Sequence, residues 1–435
     1  MNKRYTNSIK NLERSKKVIP LGSQTFSKSY TQFPLGHSPL YIERGKGARV
    51  WDIDGNEYVD LVCGLLPVIL GYCDPDVDSA IKKQLEKGIT FSLPSILETE
   101  LAETLVEIIP SAEMVRFGKN GTDATSAAIR LARAYTGRDH IIALGYHGWQ
   151  DWYIGSTTRS KGVPSSVSKL THKLPFNDLD AIRKIFSDYP EDIAAIILEP
   201  MSSIEPNEGY LESLRDLTKK NNALLIFDEV ITGFRYALGG AQELFNITPD
   251  LSCFGKGLGN GMPISAVVGK KEIMNEMEEV FFSGTFGGET LSLAAAIAVI
   301  DKMKKDQVIQ SLWEKGSYLS KEVTNLIGKY NLSDVIKLSG KAPWKLLNFY
   351  NYGNTEGELI KTFYMVEMLK NGVLTSGSHN ICYALNKVDL GHILSAYEKT
   401  FMTLSNLIKT GKLNNSLPCP IIRPVFNVRQ SVLSL

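Results

Sequence analysis

Two residues in this sequence invite a chemical reading before any others, Asp228 and Lys256. Asp228 ends the run Leu-Leu-Ile-Phe-Asp that begins at Leu224, and Lys256 sits among glycines in FGKGLGNG. Leu224 to Phe227 reads as a buried strand of a parallel sheet, which places Asp228 at its carboxyl end, where open α/β sheets bind ligands. Leu251 to Phe254 reads as a second short strand that delivers Lys256 just past its end. A carboxylate and an amine at one rim fit a carbonyl cofactor held as a Schiff base, with the carboxylate on a ring nitrogen. Each residue alone also fits a turn, a cap or a solvated loop.

The surrounding chain supplies what such a pair needs. Met114 to Phe117 reads as a strand entering GKNGTDATSAAIRLARAYTGR. There Ala124, Ala127, Ala128, Leu131 and Tyr135 recur at helical spacing and Gly137 stops the helix. Gly121 and Thr122 thus open a helix after a strand, where N–H groups, the helix dipole and a hydroxyl favour an anion such as phosphate. Capping by Asn120, Thr122 or Asp123 would leave the same pattern, and both readings stay open. His140 to Leu144 is a further strand, ending at GYHGWQDWY. Its Tyr146, His147, Trp149 and Trp152 either stack on a planar ligand or fill a core. Ile193 to Leu198 is a buried strand ending at Glu199-Pro200, and Ile264 to Gly269 is another. The loop FFSGTFGGE then leads into an apolar helix, and its Thr285 either meets phosphate or serves the helix start.

Strands alternating with helices through the middle of the chain predict a mostly parallel sheet flanked by helices. Residues 1–60 read as a helix, an irregular loop and a β-meander with a hairpin at Asp54-Gly55; residues 61–325 form the large α/β domain. Within it, GLLPVILG (64–71) reads as a connection entering the core, and residues 155–169 as a mobile surface loop. Residues 326–435 read as a smaller α+β domain with a proline-punctuated tail. The nucleotide fingerprints fail: no glycine set satisfies G-x-G-x-x-G, and no Gly-Lys precedes Ser or Thr.

Composition narrows the partners. The 435 residues carry a net charge of +1, with 43% hydrophobic and 22% charged residues, which gives no reason to expect a nucleic-acid partner. Five scattered cysteines form no C-x-x-C pair, and six histidines show no metal spacing, so no metal site is expected and a reducing compartment fits. The basic N-terminus lacks an apolar core and no apolar run is long enough to span a bilayer, so the expected location is cytoplasmic with no membrane partner.

Taken in order, NGTDATSAAIRLARAYTGR, GYHG, ILEP, LLIFDEVITGFR, FGKGLGNGMPISAVVG, SGTF and PVFNVR make the chain recognisable. It resembles the class III, fold type I pyridoxal-phosphate aminotransferases, most closely the glutamate-1-semialdehyde 2,1-aminomutase branch. The resemblance implies pyridoxal 5'-phosphate as cofactor and a homodimer with shared active sites. It makes Lys256 the Schiff-base and proton-shuttling residue and Asp228 the partner of the pyridinium nitrogen. Asn120, Gly121 and Thr122 would hold the phosphate and Tyr146 would stack on the ring. His147 would join that site and Val230 would cover the opposite face. Thr285 would reach the phosphate of the neighbouring subunit's cofactor.

The departures from the branch lie mostly in the substrate shell. Lys28 replaces an arginine of the N-terminal loop, and SGSHNICYAL has no acid between Ser376 and Leu385 where the branch has a glutamate. Asn120 stands where serine is common, and FGGETLS replaces an S-G-N-P loop. Lys28, Trp149, His379 and Asn380 are candidate specificity residues. Three functions follow: an aminotransferase passing an amino group from a donor such as glutamate to a small keto, aldehyde or sugar-derived acceptor; a 2,1-aminomutase; or a non-catalytic binding module, against which Lys256 and Asp228 argue.

Overall fold

The computed structural model describes residues 3–424. Most of the Pro-Val-Phe-Asn-Val-Arg segment quoted above therefore lies outside the described residues. The chain opens with a helix, Thr6–Ser15. The Asp54 carboxylate of the hairpin accepts from Asn7 N at 2.6 Å and Ser8 N at 2.9 Å, so the meander caps this helix. The meander itself is β1 (Ile42–Lys46), β2 (Arg49–Asp52) and β3 (Glu57–Asp60), joined antiparallel.

The central sheet has seven strands: β4 (Met114–Gly118), β5 (His140–Leu144), β6 (Thr171–Lys173), β7 (Ile193–Leu198), β8 (Leu224–Asp228), β9 (Leu251–Phe254) and β10 (Ser265–Gly269). Their order is β4-β10-β9-β8-β7-β5-β6. Only β10 runs against its neighbours, pairing antiparallel with β4 and β9. The rest of the sheet is parallel, as the alternation of strands and helices predicts.

Strand period sorts the core into two layers. Ile141, Ala143, Ile197, Leu224, Ile226 and Leu251 pack with Ala124, Ala128 and Leu131 of helix Gly121–Thr136. Ile142, Leu144, Ile196, Leu198, Leu225 and Phe227 pack on the other face with Ile182, Phe186, Tyr210 and Leu214. The alanines let helix Gly121–Thr136 lie close to the sheet. Leu225, Ile226 and Phe227 are fully buried, each worth about 1.5–3 kcal/mol of transfer. Asp228 follows Leu224 and Ile226 in parity, so its side chain falls on the face of helix Gly121–Thr136.

The segment 64–71 enters the core as expected, with Leu66, Val68, Ile69 and Leu70 buried. It begins with a left-handed turn: Cys63, Gly64, Leu65 and Leu66 all have positive φ, from 49° to 83°. L-residues pay for that conformation. Arg235, 1% exposed, helps hold it, donating to Leu66 O at 3.0 Å, Ile381 O at 3.0 Å and Pro343 O at 3.2 Å. Burial pulls this guanidinium below its usual pKa.

The expected surface loop at 155–169 contains a short helix, Ser165–Ser168. Helix Val308–Lys329 runs through residue 325. Beyond it, β11 (Ile336–Ser339), β12 (Trp344–Phe349) and β14 (Ser378–Asn380) form a three-stranded sheet backed by helices Val308–Lys329 and Gly357–Lys370, on which helix Lys387–Lys409 packs in turn. β13 (Val373–Leu374) instead pairs parallel with β3 of the meander. No helix among the described residues is long and apolar enough to cross a membrane.

Candidate active site

Pairing register brings the strand ends together. Leu144 lies beside Leu198, Leu198 beside Phe227, and Asp228 beside Cys253. The residues that follow these ends share one rim: Gly145 to His147, Glu199, Asp228 to Val230, and Gly255-Lys256.

Asp228 is 5% exposed. Its Oδ2 lies 2.8 Å from His147 Nδ1, and its Oδ1 accepts from Val230 N at 3.1 Å. His147 is buried, lying parallel to Trp152 at 6.2 Å between centroids and edge-on to Tyr153 at 5.3 Å. Thr125 of the helix donates to His147 O at 2.8 Å. The imidazole is thus fixed from both sides, and its Nε2 has no hydrogen-bond partner among the described residues.

The start of helix Gly121–Thr136 meets this group. The Asp123 carboxylate accepts from Lys119 N at 3.0 Å and Asn120 N at 2.7 Å, the two N–H groups ahead of the helix. Gly121 has no room for a side chain: a Cβ there would lie 2.7 Å from Val230 Cγ1. A Cβ at Gly255 would lie 3.5 Å from Val230 Cγ1 and 3.8 Å from Gly121 Cα. The turn carrying Lys256 therefore packs on the turn after Asp228 and on the helix start. Lys256 is half-buried and takes φ 39°, unusual for a residue with a Cβ. Asn260 fixes its turn, accepting from Leu70 N at 2.9 Å and donating to Gly71 O at 3.0 Å.

Thr122 is 7% exposed and its Oγ1 has no hydrogen-bond partner among the described residues. Gly148, at φ 108°, makes room for it, because a Cβ there would stand 2.3 Å from Thr122 Oγ1. Gly148→Ala is expected to destabilise the fold by about 1–3 kcal/mol through strain and clash, seen as a lower Tm in calorimetry. An unchanged Tm would show that this corner gives way easily.

The other sequence candidates fall in three places. Tyr146 is half-buried at the rim, its ring edge-on to Tyr153 at 5.7 Å, and its N–H donates to Glu199 Oε2 at 3.2 Å. Asn120, Lys28, Trp149 and Thr285 are exposed, Thr285 in the loop between Phe281 and Glu289. His379 and Asn380 are buried on β14, away from solvent. His379 Nε2 lies 2.7 Å from Tyr397 Oη, and Asn380 Nδ2 donates to Val62 O at 2.8 Å. Burial, then Lys345, push the His379 pKa down to about 3, so this ring is neutral at ordinary pH.

Two further rim carboxylates carry no distinctive sequence pattern. Glu199 is buried beside Gly145 and Tyr146; its signal was the end of a strand adjacent to β8. Glu229 is fully buried and accepts from Ala241 N and Gln242 N, both at 2.8 Å, and from Thr232 Oγ1. Burial pushes its carboxyl up, against those hydrogen bonds.

The site's polar set fits a phosphorylated ring. Thr122 Oγ1 and His147 Nε2 are buried without a partner among the described residues, a helix start faces the same place, and a carboxylate and an amine stand on one rim. No group of three or more metal-binding side chains occurs among the described residues.

Comparison with known proteins agrees. Residues 32–387 match the family model for class-III aminotransferases. A 3-aminobutyryl-CoA aminotransferase from Cloacimonas acidaminovorans is 35% identical over 92% of this chain and 98% of its own. A glutamate-1-semialdehyde 2,1-aminomutase from Natranaerobius thermophilus is 39% identical over 78% of this chain and 82% of its own. Among solved structures, the FumI protein of Sphingopyxis sp. MTA144, in its PLP form, superposes with a TM-score of 0.87 at 29% identity, covering 96% of this chain and all 100% of that one. An omega-transaminase from Sphaerobacter thermophilus gives 0.83 at 25% identity, covering 92% and 98%. The chain belongs to the class III aminotransferases, enzymes of fold type I that work with pyridoxal 5'-phosphate.

Proposed function

We propose that this aminotransferase takes its amino group from an amino-acid donor, glutamate first, and passes it to a small keto, aldehyde or sugar-derived acceptor. The observation that carries the reading is the shared rim: buried Asp228 paired to His147, beside Lys256 and the unsatisfied Thr122 hydroxyl. Bound pyridoxal 5'-phosphate supplies an electron-withdrawing ring that takes up the electron pair left when a substrate carbon loses its proton.

The chain's own residues would do the rest. The Lys256 amine would attach the cofactor and later accept and return the substrate proton at Nζ. The Asp228 carboxylate, held by His147 and Val230 N–H, would keep a proton on the ring nitrogen. Gly121 and Thr122, with Asn120 alongside, would hold the phosphate at the helix start. Tyr146 and Val230 would close on the two faces of the ring and exclude water.

Thr285 would serve the cofactor of a partner subunit in a homodimer. Its loop is exposed, with Phe281 80% and Phe286 59% accessible, which suits burial against a second copy. The division into residues 1–60, 61–325 and 326–435, with the first packing on the last, draws support from the β3–β13 pairing. The described cysteines are all free, in keeping with a reducing cytoplasm.

The second reading is a 2,1-aminomutase, favoured by the 39% identity to a protein of that name. The visible absorption spectrum separates the two. L-glutamate added without acceptor is expected to bleach the yellow band as the amino group is taken up. A band that ignores glutamate and other amino acids would overturn the aminotransferase with an amino-acid donor and favour the mutase.

A further inference from the structure

Lys119 stands directly ahead of Asn120, where the loop after β4 enters helix Gly121–Thr136. Its ammonium donates to Glu289 Oε2 at 3.0 Å, and the two side chains are only 18% and 12% exposed. Glu289 is also the N-cap of helix Thr290–Lys305. Its carboxylate accepts from Leu291 N at 2.6 Å, Ser292 N at 3.3 Å and Ser292 Oγ at 2.6 Å. Burial alone would raise the Glu289 pKa, but the bonds from Ser292, Lys119 and Leu291 outweigh it and hold it below the usual value. One charged carboxylate therefore joins the starts of two helices.

The loop carrying Thr285 is fixed at its other end as well. Arg130 Nη1 donates to Phe281 O at 2.9 Å, and Arg116 Nη2 to Phe282 O at 3.2 Å. Arg130 lies in helix Gly121–Thr136 and Arg116 in β4. The loop thus bridges the region where strand becomes helix, with its last residue, Glu289, tied to Lys119. Exposed ion pairs contribute little. This one is mostly buried and its carboxylate is held by a helix cap, so its geometry is fixed.

We infer that the Lys119–Glu289 pair is a positioning strap that sets the helix start for the cofactor's phosphate. The inference rests on the reading that Gly121 and Thr122 hold that phosphate. A helix start binds an anion well only if its N–H groups and hydroxyl are already in place. Lys119 spends its charge on Glu289, so the strap works by holding the backbone and not by adding a cation to the phosphate.

Equilibrium binding of pyridoxal 5'-phosphate and of pyridoxal to the cofactor-free full chain tests this. Glu289→Asp separates the two roles of the residue. Aspartate still caps a helix, but it is one methylene shorter and falls short of Lys119. Glu289→Asp is expected to weaken pyridoxal 5'-phosphate binding about tenfold while leaving pyridoxal binding and Tm nearly unchanged. Lys119→Met should do the same, and the double variant should be no worse than either single one.

Three results would overturn the strap: phosphate-ester binding within about twofold of the parent, equal loss of pyridoxal binding, or single effects that add in the double variant. The underlying reading fails differently. If the parent itself binds the phosphorylated cofactor no more tightly than pyridoxal, Gly121 and Thr122 do not hold the phosphate at all.

Discussion

Lys256→Ala is expected to abolish the covalent hold on the cofactor and to lower turnover by at least about 10^4-fold. The substitution removes the amine and the three methylenes that carry it. Alanine bears the same backbone cost as lysine at φ 39°, and the turn is held by Asn260, which is untouched. Tm should therefore move by no more than a few degrees. The check is the visible spectrum after dialysis, together with an amino-transfer assay. Added small primary amines should restore part of the turnover, because the missing group is chemically simple. Retained colour and undiminished turnover would dismiss Lys256 from the chemistry.

Asp228→Asn is expected to cost roughly 10²–10³ in kcat/KM with the cofactor still bound. The amide keeps the size of the carboxylate and can still accept from Val230 N, so the turn should survive. What disappears is the negative charge proposed to face the ring nitrogen. His147 Nδ1 then faces an amide in place of the carboxylate. A variant with parental kcat/KM would mean that the charge is supplied elsewhere, and Glu199 would become the residue to test.

Much of this site was legible because its residues stand at the ends of apolar runs. Leu224 to Phe227 is too short and too apolar for a surface helix, so Asp228 had to end a buried strand. The same logic placed Lys256 after Leu251 to Phe254, and the alanine spacing placed Gly121 and Thr122 at a helix start. Periodicity carries no strand direction, however. That β10 runs against both neighbours, closing the sheet onto β4, appears only in the pairing registers.

The Asp228–His147 contact was illegible for a related reason. It joins residues 81 positions apart, and β7 lies between their strands. Sequence spacing therefore marks His147 as a candidate but names no partner for it. Glu229 shows the limit from the other side. It adjoins Asp228 in sequence, yet the alternation of the strand sends it to the opposite side, where it caps a short helix at Ala241. Two adjacent carboxylates thus have different surroundings, and spacing alone does not say which one meets the ligand.

The Arg235 guanidinium bears on how the polypeptide is made. Its three carbonyl partners lie 108, 146 and 169 residues away, one earlier in the chain and two later. A ribosome that has released only the first 340 residues has delivered the cation but neither Pro343 nor Ile381. A buried donor left unpaired is costly, so the left-handed turn at Cys63–Leu66 and the rim after Asp228 cannot settle until the last quarter of the chain emerges. Synthesis order thus favours maturation of this rim only in a finished chain. Fragments ending before Pro343 should be caught by proteases or chaperones before they can hold a cofactor.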